Sequence, residues 1–175
     1  MSSGIAPEFV REFIPFLPAI VIFFLCWAAC SDLASRVIPN RLSLSLSLLF
    51  FVYALAGPVH LDIALHMIWG GVSLLALLPL FAFGKMGGGD VKLISATALW
   101  CGPITGPEFL IVTALAGGIL ALVTITPVVR YFWEQGHRVL GLTSTVSLFP
   151  SSVSLPYGVA IAAGGSFSIV QAFLR

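Results

Sequence analysis

Apolar runs separated by short polar breaks fill almost the whole chain. Six runs stand out, at about residues 13–31, 42–57, 61–83, 91–102, 107–129 and 156–174. Since about 20 residues of helix cross ~30 Å of hydrocarbon, the pattern predicts an all-α, polytopic membrane protein with about six transmembrane helices. Residues 1–175 then form one membrane-embedded domain with no room for a separate soluble one. Residues 42–48 alternate leucine with serine, which read alone is a strand signal. No other run alternates, and a membrane barrel needs alternation in every strand, so helix is favoured. Its serines can bond back to preceding carbonyls or across to neighbouring helices.

Two of the runs are short. At 1.5 Å per residue, the second reaches about 24 Å and the fourth about 18 Å. The fourth crosses the membrane only by recruiting the glycines before it or residues beyond Gly102 and Pro103. A short helix at this point draws membrane or water inward and keeps Asp90, at its start, wetted.

Composition agrees with the pattern. Hydrophobic residues make up 59% of the chain and charged residues 9%, against about a quarter charged in soluble domains. Mean hydropathy is +1.09. A net charge of +1 with no concentrated basic face argues against nucleic acid as a partner. Cys26, Cys30 and Cys101 show no Cys-x-x-Cys spacing, so neither a metal site nor a disulfide framework is expected, and no cofactor is implied. The first run follows Glu8, Arg11 and Glu12 instead of a basic stretch and exceeds a signal-peptide core, so it is expected to stay. Trp27-Ala28-Ala29-Cys30 only faintly resembles a lipoprotein cleavage box.

Basic residues set the expected orientation. Arg36 and Arg41 follow the first run, Lys85 and Lys92 flank the third-to-fourth junction, and Arg130 and Arg138 follow the fifth. By the positive-inside rule these alternate loops are cytoplasmic and both chain ends are not. Asp32, Asp90 and Glu134 then face the cytoplasm, while Glu8, Glu12, Asp62 and Glu108 lie at or near the other side.

The chemistry-bearing stretch is Gly84-Lys85-Met86-Gly87-Gly88-Gly89-Asp90, where a carboxylate stands at the mouth of an apolar segment. An ionised carboxylate there costs several kcal/mol unless something pairs or uses it. Asp32 holds the matching position at the end of the first run. Two nearby carboxyls cannot both be ionised, so one can take a proton from water while the other polarises a carbonyl. Helix position favours Asp90 as the carboxylate and Asp32 as the acid, although a dyad titrates as a unit. Glycines beside Asp90 let a substrate chain lie close. The structural alternatives are an Asp32–Arg36 pair one turn apart and an ordinary helix cap at Asp90. Asp62 with His66, and His137 with Glu134, read as solvated surface, and Trp27, Trp69, Trp100 and Trp133 mostly as an interfacial belt.

Three motifs carry a resemblance. Asp32-Leu33-Ala34-Ser35-Arg36-Val37-Ile38-Pro39-Asn40, the glycine run ending in Asp90 and continuing Val91-Lys92-Leu93, and Pro156-Tyr157-Gly158-Val159-Ala160-Ile161 together resemble the type IV prepilin peptidases. The likeness is to the short form serving Flp pili of tight-adherence systems. It implies an aspartic endopeptidase of the bacterial inner membrane that removes prepilin leaders at the cytoplasmic face, after a glycine, with Asp32 and Asp90 as the catalytic pair. It also implies site-shaping roles for Arg36, Ile38, Pro39, Asn40, Gly87, Gly88, Gly89, Lys92, Pro156, Tyr157 and Gly158. Membrane lipid and a prepilin are the implied partners. Longer members also methylate the new N-terminus and carry an insertion with paired Cys-x-x-Cys motifs. This chain lacks such motifs, so only the peptidase is expected.

Two other readings compete. Presenilin-like and signal-peptide-peptidase-like proteases share a Gly-x-Gly-Asp, but their partner aspartate follows a tyrosine, whereas Asp32 follows Ser31. A small ion- or proton-coupled transporter calls for mid-membrane acids and internal repeats, which this chain does not display. Residues 130–155, rich in serine and threonine, are the expected mobile cover or docking element over the site.

Overall fold

A computed structural model describes residues 14–56, 61–126 and 155–174. The expected cover at residues 130–155 therefore lies outside the described residues, Leu155 excepted, as do Glu134, His137 and Trp133. Most of the described residues are helical, and a short 3-10 turn (Ile14–Phe16) leads into α1 (Leu17–Ser35), followed by α2 (Asn40–Ala56), α3 (Ile63–Ala82), α4 (Gly88–Ile125) and α5 (Tyr157–Leu174). Four of these are long and apolar enough to cross a membrane, and α2 is a shorter apolar helix. The protein is an all-α polytopic membrane protein.

The helix surfaces follow membrane rules. Large apolar side chains point outward, as at Leu75 (66% exposed), Leu115 (63%) and Leu122 (70%). In water such a surface is an aggregation hazard, whereas in lipid it is the expected outer face. With lipid outside, apolar burial gives helices little reason to associate, and close packing through small residues takes over. In α5, Gly165 lies where an added Cβ would stand 2.8 Å from both Leu25 of α1 and Thr97 of α4, and Gly164 faces Thr113 of α4. The core is built from one-turn stripes, Val21, Leu25 and Ala28 on α1 and Leu42, Leu46 and Phe50 on α2.

The fourth and fifth apolar runs are two helices joined directly at a kink, within one 38-residue stretch, Gly88–Ile125, that carries the single label α4. A straight helix of that length would extend about 57 Å. It does not run straight, because Gly102 takes φ 60° and ψ −165° inside it and Pro103 follows. A side chain at Gly102 would also collide with the His66 ring. Contacts with α5 show the chain doubling back there. Thr97, before the break, and Thr113, after it, reach adjacent glycines of α5, and Gly117 further on reaches Tyr157 at the start of α5. Both ends of α4 therefore lie toward the same end of the bundle as Asp32.

Three expectations need correction. α1 continues to Ser35, four residues past the apolar run, because its polar last turn stays helical. α4 starts at Gly88, so two of the three glycines belong to the helix. Trp100 is no interfacial anchor: it is 4% exposed and its indole N–H donates to the Leu46 carbonyl at 2.9 Å.

Candidate active site

Asp32 occupies the last turn of α1 and is buried. Its placement depends on two backbone devices. Arg36 adopts the left-handed conformation, φ 56°, and its N–H closes on the Asp32 carbonyl at 2.9 Å, which ends α1 and turns residues 37–39 back across the bundle. A non-glycine residue rarely sits there, and such outliers cluster where surrounding structure imposes them. Ser31 reinforces the turn by donating to the Val37 carbonyl at 2.8 Å. From the other side, the Gly158 N–H at the start of α5 donates to Asp32 Oδ2 at 2.7 Å. Only a glycine fits this approach, since a Cβ on residue 158 would stand 2.8 Å from Asp32 Cβ.

Asp90 is the third residue of α4, and its carboxylate accepts from the Gly87 N–H at 3.2 Å. This is half of a capping box, with the cap glycine having no side chain to return the bond. Asp90 is thus not the cap itself. Gly89 packs on Ile38, where an added Cβ would meet the Ile38 Cβ at 3.0 Å and its carbonyl at 3.1 Å. Gly88 lies against Phe81 at the end of α3. The run reads as loop on propensity alone, but these close contacts hold it in helix.

Asp32, Asp90, Arg36, Val37, Ile38, Gly87, Gly88 and Gly89 line one cleft of about 180 Å³. The Asp32 charge acts on Asp90, and the Arg36 charge acts on Asp32. A nearby cation and a second carboxyl group therefore act on Asp32 together, and the two readings of this residue do not exclude each other. Each carboxylate receives one backbone N–H, so helix position alone does not decide which would hold a shared proton.

The other site residues expected from the sequence divide into two groups. Pro156 is buried and Tyr157 is packed against the core beside Gly158, so they form the shoulder that presents the Gly158 N–H. Lys92 donates to Asn40 Oδ1 at 3.0 Å, on the far side of Ile38 and Gly89 from the cleft, and Pro39 accepts from Leu42 N at the start of α2. Asp62 takes no part. It caps α3 by accepting from Leu65 N at 3.1 Å, at the opposite end of that helix from Phe81 and the cleft. His66 is turned from it, with Nδ1 on the Leu99 carbonyl at 2.8 Å and its ring stacked on Phe50. Val37 is the lining residue that sequence reasoning passed over, although it lies inside the first motif.

The family model of the Type IV leader peptidase family matches residues 19–122. No curated protein and no solved structure matches the chain. The matched stretch is more than half of the chain and holds both aspartates, the left-handed turn at Arg36 and the glycine run, while Gly158 reaches Asp32 from beyond it. The protein belongs to the Type IV leader peptidase family and is a membrane-embedded aspartic protease.

Proposed function

We propose that this protein cleaves the leader from Flp-type prepilins after a glycine, with Asp32 and Asp90 as a water-activating pair. The observation that carries the reading is the single cleft into which both carboxylates open. One carboxylate, ionised, takes a proton from a water as its oxygen attacks the scissile carbonyl. The other, protonated, hydrogen-bonds the carbonyl oxygen as it gains charge. Collapse of the tetrahedral intermediate breaks the C–N bond, and the leaving nitrogen takes a proton from the pair. Gly87, Gly88 and Gly89 leave room for an extended substrate backbone beside Asp90, and the Gly158 N–H fixes the rotamer of Asp32.

The site faces the cytoplasm of a bacterial inner membrane, with six crossings and both chain ends on the other side. Two observations support this orientation. Arg36, Arg41, Lys85 and Lys92 are the Lys and Arg among the described residues, and all belong to the helix ends around the cleft. The reversal at Gly102 supplies a crossing on either side of it.

Co-expression of a candidate Flp-type prepilin with wild type, Asp32→Asn, Asp90→Asn and Asp62→Asn tests the proposal. Either of the first two changes is expected to slow processing at least about 100-fold, and Asp62→Asn to leave it intact. Processing that survives both Asp32→Asn and Asp90→Asn overturns the dyad. Loss with Asp62→Asn overturns the orientation.

A further inference from the structure

On the far side of the Ile38–Gly89 contact from the carboxylates lies a second, larger depression of about 640 Å³, walled by α2 and α3 and floored by the first half of α4. α2 and α3 meet at one end, where Phe50 stacks on His66 with ring centroids 5.5 Å apart. Toward the carboxylate end they diverge, and Asn40, Arg41 and Lys92 stand at the mouth.

We propose that this groove seats the apolar helix of the substrate, the segment that follows the scissile bond. The inference rests on the prepilin reading above and adds to it where the substrate lies. Three observations favour this occupant. First, groove and cleft adjoin: Ile38 and Asp90 line the cleft, and Asn40 and Lys92, each two residues further along the same segments, line the groove. A chain leaving the groove at its mouth needs only to pass the Lys92–Asn40 hydrogen bond to reach the carboxylates. Second, small residues line the groove on one wall and on the floor, Gly71 on α3 and Ser95 and Ala96 on α4, and small residues are what membrane helices use for close packing. Third, Ser43 lines the groove at 6% exposure, and its enclosed hydroxyl has no hydrogen-bond partner among the described residues, so turning it toward the groove gives up no bond. An unpaired hydroxyl in an apolar setting is costly. A peptide helix carries carbonyl and polar side-chain acceptors for it, whereas a lipid acyl chain carries none.

Gly71 makes the test possible without disturbing the fold. Gly71 lines the groove and a Cβ there meets nothing within 4 Å, so Gly71→Leu starts its side chain in free space on the groove side. Gly118 is equally open but lies outside the groove, and Gly118→Leu is the matched control. With a purified full-length Flp-type prepilin in proteoliposomes, Gly71→Leu is expected to raise KM at least about tenfold, the scale on which a filled apolar pocket discriminates. Its kcat and the kinetics of Gly118→Leu stay near wild type. Unchanged KM in Gly71→Leu, beside a wild type that cleaves, overturns the groove while leaving the protease reading standing.

A second arm reads seating whether or not cleavage occurs. Benzoylphenylalanine at Leu44 or Leu74 in the groove, in an Asp32→Asn background, is expected to crosslink the prepilin well above the same probe at Leu115 or Ile119. Capture of lipid alone, of a second copy of this chain, or of prepilin equally at all four positions overturns the proposal.

Discussion

Gly158→Ala is a one-carbon test of how Asp32 is held. The added methyl would stand 2.8 Å from Asp32 Cβ, 3.0 Å from its Oδ2 and 3.3 Å from the Ala28 carbonyl. Carbon atoms rest at about 3.5–4.0 Å, so α5 and α1 must separate by roughly 1 Å or the Asp32 side chain must leave its rotamer. Either response lengthens or breaks the 2.7 Å bond from the Gly158 N–H. Overpacking of this kind costs about 1–3 kcal/mol of stability, while a 1 Å displacement of a reacting group costs about 100-fold in rate. Gly117→Ala is the control, because its methyl would find Tyr157 Cε1 at 3.6 Å and Ala160 Cβ at 3.7 Å, which is ordinary contact. Initial rates of prepilin cleavage in proteoliposomes, with thermal unfolding of the same preparations, separate the two effects. The expected result is a rate loss of about 100-fold in Gly158→Ala, in protein that is still folded at assay temperature, with Gly117→Ala near wild type. A Gly158→Ala protein that cleaves within a few-fold of wild type would refute the reasoning that α5 positions a catalytic Asp32.

Gly102→Ala places a side chain both at φ 60° and against the His66 ring. That φ/ψ combination is essentially confined to glycine and costs another residue roughly 1–3 kcal/mol, so a lowered unfolding temperature and reduced yield are expected, and wild-type stability would contradict the reversal. Trp100→Phe removes the 2.9 Å bond to the Leu46 carbonyl while keeping most of the ring packing between Phe50 and Tyr53. Its expected cost is about 1 kcal/mol by thermal unfolding, with unchanged cleavage. A carboxyl pair that shares one proton gives a bell-shaped pH profile of kcat/KM, since activity needs one member ionised and one protonated. A profile with a single limb would assign the chemistry to one carboxylate.

Much of this was legible in the chain because the residues concerned are costly or conspicuous where they stand. Two aspartates near the ends of apolar runs, on one side by charge placement, come together in one cleft. The Leu/Ser alternation of residues 42–48 also resolves in helical terms. Leu42, Leu46 and Phe50 fall one turn apart on the core, while Ser43 and Ser47 fall one turn apart toward the groove. The misses have tertiary causes. Apolarity ends near Ser31, but hydrogen bonding carries α1 to Ser35, so boundaries drawn from hydropathy stop short. The glycine run enters α4 because Ile38 and Phe81 press on it, a contact that no local pattern encodes. Gly102 and Pro103 marked a break in the apolar pattern, but the doubling back of α4 depends on which side of α5 each half touches. The groove was illegible altogether, since it exists only through the angle at which two consecutive helices, α2 and α3, diverge over α4, and no local pattern encodes that angle.

Depth follows from these helix ends and constrains the mechanism. Asp32 stands three residues before the end of α1 and Asp90 two residues after the start of α4, which at 1.5 Å per residue puts both within about 5 Å of their helix termini. The first half of α4, residues 88–101, reaches from Phe81 of α3 down to the level of His66, so it is not a stub suspended in mid-membrane. On the proposed reading the carboxylates therefore work near the membrane boundary, where water arrives without a channel through the bundle. A substrate helix seated in the groove can stay helical along most of its apolar length and needs to be extended only at its end, where it passes Asn40 and Lys92. Unwinding a helix inside lipid would expose several unpaired backbone groups at several kcal/mol each. A cut at the boundary avoids that cost, and this gives a physical reason for the two aspartates to sit at helix ends and for glycine, without a side chain, to crowd the one beside which the chain must lie extended.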